Sequence, residues 1–99
     1  MKLPLIIRPM EIPVELKLRY LQRRLEELSR VKQSLENNDF STALNLGLQV
    51  KGIAEPVELP DIGRIGLKIE LAAKNKNKEE VQILAQEMRN FIEKVQSFL

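Results

Sequence analysis

Few side chains in this 99-residue chain have types and spacing that could do chemistry. They are two adjacent carboxylate pairs, Glu26 with Glu27 and Glu79 with Glu80; a run of cations, Lys17, Arg19, Arg23, Arg24 and Arg30; and a Lys51-Gly52 step within an apolar stretch. Neighbouring residues on a helix do not share a face, so neither carboxylate pair can converge on a metal ion or divide acid and base roles. Both pairs read as solvated surface. Glu26 and Glu27 interleave with the cations, and no turn-helix recognition pattern accompanies them, so nucleic acid is not the expected partner. The chain has no glycine-rich phosphate loop and no triad motif.

Two absent residue types narrow the field further. Without Cys there is no disulfide framework, zinc-thiolate site or thiol nucleophile. Without His there is no Ser-His or Cys-His catalysis, no imidazole ligand to a metal and no phosphohistidine. No catalytic residue, metal or cofactor is therefore assigned. Hydrophobic residues make up 43% and charged residues 30%, an ordinary globular composition, and the net charge of +2 comes from nearly balanced, interleaved charges. The opening "MKLPLIIRPMEIP" is too short for a membrane span and lacks a signal-peptide cleavage pattern, so a cytoplasmic product with no membrane partner is expected. Residues 1–12 read as an extended strap laid over the domain formed by 13–99.

Four segments carry helical periodicity. In the first, Leu18, Leu21, Leu25, Leu28, Val31 or Lys32, and Leu35 recur at three- and four-residue steps, which predicts a helix from about Pro13 to Asn37 or Asn38. "ENNDFS" is the turn, with Asp39 or Ser41 as cap of a second helix whose stripe is Phe40, Ala43, Leu46, Gly47, Val50, Ile53, Ala54 and Val57. Pro56 and Pro60 separate it from a third, through Ile62, Ile65, Gly66, Ile69, Ala72 and Ala73. After the "KNKNK" turn, Asn77 caps a fourth with the seam Val81, Leu84, Met88, Phe91, Val95 and Phe98. Short loops between four amphipathic helices imply an all-α, antiparallel up-down four-helix bundle. Gly47 and Gly66 lie inside apolar stripes, where glycine costs up to about 1 kcal/mol unless close packing exploits the missing side chain.

The segment "LNLGLQVKGIA", Leu44 to Ala54, holds the one anomaly. At about 100° per residue, Leu48 falls opposite the centre of the second helix's stripe, and Leu44, Asn45, Lys51, Gly52 and Glu55 share its outward face. A single exposed leucine is unremarkable on base rates. An apolar knob beside a bare backbone patch, however, is what a docking surface requires.

The run from Leu35 to Met88 resembles a histidine-containing phosphotransfer (HPt) domain, the four-helix bundle that relays phosphoryl groups between receiver domains in bacterial two-component signalling. The hallmark of that family is a helix reading His-x-Leu-Lys-Gly. Here Lys51 and Gly52 match its Lys-Gly, Val50 stands at the apolar position before them, and "LPDIGRIGLKIE", Leu59 to Glu70, is similar to the third helix; the likeness extends over about Leu16 to Val95. The position of the phosphorylated histidine is Leu48, and a later family glycine is replaced by Glu58. Leucine has no nucleophilic nitrogen, so the site cannot carry phosphoryl transfer.

The resemblance implies a pseudo-HPt module, not an enzyme, that binds a response-regulator receiver domain or a sensor kinase. Leu44, Leu48 and Gly52 would form the centre of the contact, beside Asn45, with Lys51 and Glu55 setting register at its rim. The competing expectation is a structural or homo-oligomerisation bundle in which Leu48 and the strap bury against a second copy, so a monomer or weak homodimer is expected in solution.

Overall fold

The computed structural model describes residues 13–53 and 59–99, with the backbone alone at 51–53. The chain is all-α: α1 (Val14–Glu36), α2 (Ser41–Ile53), α3 (Pro60–Lys74) and α4 (Lys78–Phe98). Consecutive helices pack against one another and α1 also packs on α4, which closes the ring of an antiparallel four-helix bundle. The backbones approach most closely between α2 and α3.

The boundaries follow from local chemistry. Pro13 precedes α1, and its carbonyl accepts from the N–H of Leu16 and Lys17 at 3.0 and 3.1 Å, bonds that need no donor from the proline itself. Pro60 occupies the first turn of α3, where its fixed φ suits the helix, and Asp61 adds a carboxylate at the positive end of the dipole. The side chain of Asn77 accepts from the Glu80 N–H at 3.1 Å and caps α4, as the sequence predicts.

α1 and α3 end in the same way. Asn38 N donates to Leu35 O and Asp39 N to Ser34 O; Lys76 N donates to Ala73 O and Asn77 N to Ala72 O. These are paired Schellman bonds, and they place Asn38 and Lys76 in the left-handed region with φ of 57° and 53°. Asparagine tolerates that conformation, whereas lysine holds it at a cost that the two carbonyls satisfied beneath it offset.

Asp39, one of the two cap candidates, accepts from both the backbone N–H and the hydroxyl of Ser41 at 3.0 and 2.7 Å; Ser41 is the first residue of α2. The backbone bond, and then the hydroxyl bond, holds the Asp39 carboxyl below the ordinary carboxylate range. A depressed folded-state pKa stabilises the fold fully above the unfolded value, and that contribution is lost as pH falls through the folded one. Asp39→Ala should therefore lower stability in urea at pH 7, and the difference from the parent should close as pH falls below the carboxylate range. A difference independent of pH would contradict the cap.

The core is built from Leu21, Leu28, Val31 and Leu35 of α1; Ala43, Leu46 and Val50 of α2; Ile62, Ile65, Ile69, Ala72 and Ala73 of α3; and Val81, Leu84, Met88 and Ile92 of α4. Val31 rather than Lys32 takes the fifth position of the α1 stripe, and Leu25 packs at the core edge. The expected α4 seam needs correction at its end. Phe98 is 80% exposed, Phe91 and Val95 are only partly buried, and Ile92 fills the core instead. A true α-helix drifts ahead of a strict heptad, so the buried stripe steps from Met88 to Ile92 by four residues and leaves Phe98 beyond it. Ala54 and Val57, read as part of the α2 stripe, and the strap at 1–12 lie outside the described residues; so does the side chain of Ile53.

Candidate functional site

α2 presents the candidate surface, and α3 fixes how it faces. Ala43, Leu46 and Val50 turn one side of α2 into the core, and Gly47 turns the adjoining side to α3. A Cβ on Gly47 would lie 2.6 Å from Gly66 O and 2.8 Å from Glu70 N, so the backbones of the two helices approach as closely as a missing side chain permits. A Cβ on Gly66 would meet the side chain of Val50 and sit 3.3 Å from Gly47 O. Both glycines thus serve close packing, as their place in the apolar stripes predicts.

With Gly47 on α3 and Val50 in the core, Leu48 is left on the outside, 43% exposed. Asn45 is exposed beside it. Leu44 does not stand fully outward as expected: it is half-buried and packs against the edge of the core. Its position lies nearer the α3 seam than that of Leu48, which explains the difference. Lys51 and Gly52 continue the α2 backbone, the Lys51 side chain is outside the described set, and Glu55 lies outside it altogether.

Two apolar side chains on α3 belong to the same exposed class: Leu67, 45% exposed, and Leu71, 52% exposed. Neither falls in the 62, 65, 69 stripe, so the off-stripe test that finds Leu48 also finds them. Arg64 pairs with Asp61, and Lys74 Nζ lies 3.0 Å from Glu70 Oε2. Glu70 is buried, a charge that periodicity does not mark. It sits where the missing Cβ of Gly47 lets its backbone pack against α2.

A second departure lies on α1. Arg24 is 3% exposed, with Nη2 donating to Glu27 Oε2 at 3.0 Å and Nε 2.9 Å from Oε1 in a contact too poorly aligned to be a hydrogen bond. Its guanidinium lies 4.9 Å from the Tyr20 ring centroid. Burial pushes the Tyr20 phenol above its ordinary value, against the opposing charge of Arg24. Glu27, read from the sequence as solvated surface, is therefore an ion-pair partner, and a carboxylate three residues along the helix is the signal that marks it.

Cross-helix hydrogen bonds tie α1 into the bundle, among them one from Arg89 Nη2 to the Leu25 carbonyl at 3.4 Å. Ser34 Oγ and Thr42 Oγ1 lie 2.9 Å apart between α1 and α2, and Arg89 Nη2 of α4 donates to Ser29 Oγ at 3.2 Å. A groove between α1 and α4 is floored by Leu28, Val31 and Leu35 and edged by Gln82, Gln86 and Arg89. Among the described residues no three acidic or metal-ligating side chains cluster, and no helix is long and apolar enough to cross a membrane. No protein-family model, curated protein or solved structure matches the chain.

Proposed function

We propose that this chain is a non-catalytic, HPt-like module of bacterial two-component signalling, acting in the cytoplasm, that binds a response-regulator receiver domain or a sensor kinase without accepting a phosphoryl group. The observation that carries this reading is Leu48: an exposed leucine on the outer side of α2, at the position where similar domains place the phosphorylated histidine. A four-helix bundle with Lys51 and Gly52 one turn further along α2 is the frame that a receiver would meet. Without an imidazole anywhere in the chain, contact with a phosphorylated receiver leads to binding and not to transfer. Such a protein acts as a competitor, adaptor or sequestering partner.

The test is a panel of purified receiver domains from the source organism, measured for binding by calorimetry and for transfer with labelled phosphoryl donor. The parent chain should bind and stay unlabelled, while Leu48→His should take up label from the same receiver. Stable labelling of the parent, or binding to none of the panel, would overturn the reading. The exposure of Leu48 together with Leu67 and Leu71 favours a second reading, a homo-oligomerisation bundle. Concentration-dependent mass in light scattering supports that alternative, and a concentration-independent monomer removes it.

A further inference from the structure

We infer that the open end of the α1/α4 pair is a seat for the chain's own residues 1–12, whose apolar side chains cover Val14 and Leu99. The inference is independent of the receiver-binding reading and holds whether or not a receiver binds.

The end is open because two helices outrun the other two. The Ser34–Thr42 contact sets α2 against α1 with numbers running in opposite directions, so α2 stops at Ile53, level with about residue 23 of α1. α3 and α4 are joined by the turn at 75–77, so Pro60 at the start of α3 is level with about residue 92 of α4. Arg89 reaches Leu25 and Ser29, which keeps α1 and α4 side by side and brings Phe98 level with about residue 18. The start of α1 and the end of α4 therefore run on together past both neighbours, by roughly 10 Å on each helix.

Exposure follows that overhang along one face. Seven residues turn a helix back to within about 20° of the same direction, so Val14 faces as Leu21 does and Leu99 as Ile92 does. Leu21 and Ile92 are fully buried, Leu18 and Val95 are half-buried, and Val14 and Leu99 are 49% and 46% exposed. The side chains keep the core direction while α2 and α3 fall away beneath them. Leu16 and Phe98 flank the pair and are exposed as well.

Place and chemistry select the occupant. Pro13, non-helical at φ −54° and ψ 144°, sits beside Val14, so residues 1–12 join the fold at this end. They carry Leu3, Leu5, Ile6, Ile7, Met10 and Ile12, with no charge between Lys2 and Arg8. Residues 54–58, the other stretch outside the described residues, bring Glu55 and Glu58, with Ala54 and Val57 as their hydrophobic side chains. Ile7 is six residues from Pro13, a reach of up to about 20 Å, whereas neighbouring helix axes lie only about 8 to 10 Å apart. Leu5 to Ile7 thus span from α1 to Leu99 with length to spare. A tether this short gives the segment an effective concentration in the millimolar range. A second copy has no such advantage, and four partly exposed side chains offer a few hundred Å², short of the roughly 1,200 Å² that a stable interface between proteins buries.

The experiment uses the full chain with methyl-labelled Ile, Leu and Val, together with urea unfolding of variants. The δ1 methyl of Ile6 or Ile7 should show nuclear Overhauser contacts to the methyls of Leu99 or Val14, and these should vanish in a sample that records only contacts between differently labelled chains. Ile7→Asp and Leu99→Asp should each lower the urea midpoint by about 0.5 to 1 M, and the double variant should fall little further than the worse single one. Ile83→Asp, at an exposed apolar site on α4, should leave the midpoint unchanged. Circular dichroism confirms each fold, and the methyl contacts of the parent decide alone if a variant does not fold. Contacts from Ile6 and Ile7 to Ala85 in the α1/α4 groove, or to no described residue, would overturn the inference. Fully additive losses in Ile7→Asp and Leu99→Asp would do the same. Contacts that appear only between differently labelled chains would assign this end to a second copy instead.

Discussion

Gly47→Ala is expected to destabilise the bundle by about 2 to 3 kcal/mol, the upper part of the range for overpacked interiors. Alanine favours a helix over glycine by up to about 1 kcal/mol, so on propensity alone the substitution would stabilise. The sign is set by what the new methyl meets. It would lie 2.6 Å from a backbone carbonyl oxygen and 2.8 Å from a backbone nitrogen of α3, and neither can rotate away. α2 must therefore lift from α3 along the closest helix pair of the fold. For a chain of this length the loss corresponds to a fall of roughly 10 to 20 °C in Tm. Gly66→Ala should cost less, because the first atom its methyl meets belongs to the side chain of Val50, although that side chain is fully buried and has little room to turn. Thermal and urea unfolding of both variants check the order. Greater stability in Gly47→Ala than in the parent would show that the helices are not held apart by this contact.

The second large effect falls on binding and leaves the fold intact. Leu48→Glu should cost receiver affinity at least about 2 kcal/mol, a loss of roughly 30-fold in Kd, because a buried carboxylate would replace the apolar centre of the contact. Leucine and glutamate have similar helix propensities, and Leu48 is substantially exposed, so stability should change by no more than about 0.5 kcal/mol. Loss of binding with an unchanged urea midpoint separates a docking role from a packing one. A large drop in stability would instead place Leu48 in an internal contact.

Most of the fold is legible in the sequence, for reasons that can be traced to particular residues. Pro13 and Pro60 mark where helices begin, and Asn77 with Glu80 marks a cap, because each acts through a local backbone group that needs no tertiary context. The stripes of α2 and α3, with Gly47 and Gly66 inside them, announce a close helix pair. Periodicity weakens where its assumptions fail. The α4 seam follows a heptad to Met88 and then steps by four to Ile92, which leaves Phe98 in solvent. Arg24 and Glu70 are buried through partners at Glu27 and Lys74, and an alternation of apolar and polar letters cannot distinguish a paired buried charge from a solvated one.

The candidate site is legible to the extent that Leu48 breaks a stripe. Its rotation on α2 is readable from the sequence, as is the identity of Lys51 and Gly52 beyond it. The half-burial of Leu44 depends instead on the angle and register at which α2 meets α3, which the glycine seam sets in three dimensions.

The most direct test of docking without transfer is an NMR titration of the isotopically labelled chain with each unlabelled receiver domain of the panel. Shifts should concentrate on the exposed side of α2 around Leu48, while the amides near Ile83 on α4 stay where they are. Shifts centred on the α1/α4 groove around Gln82 and Gln86, or none at any receiver concentration, would contradict the account.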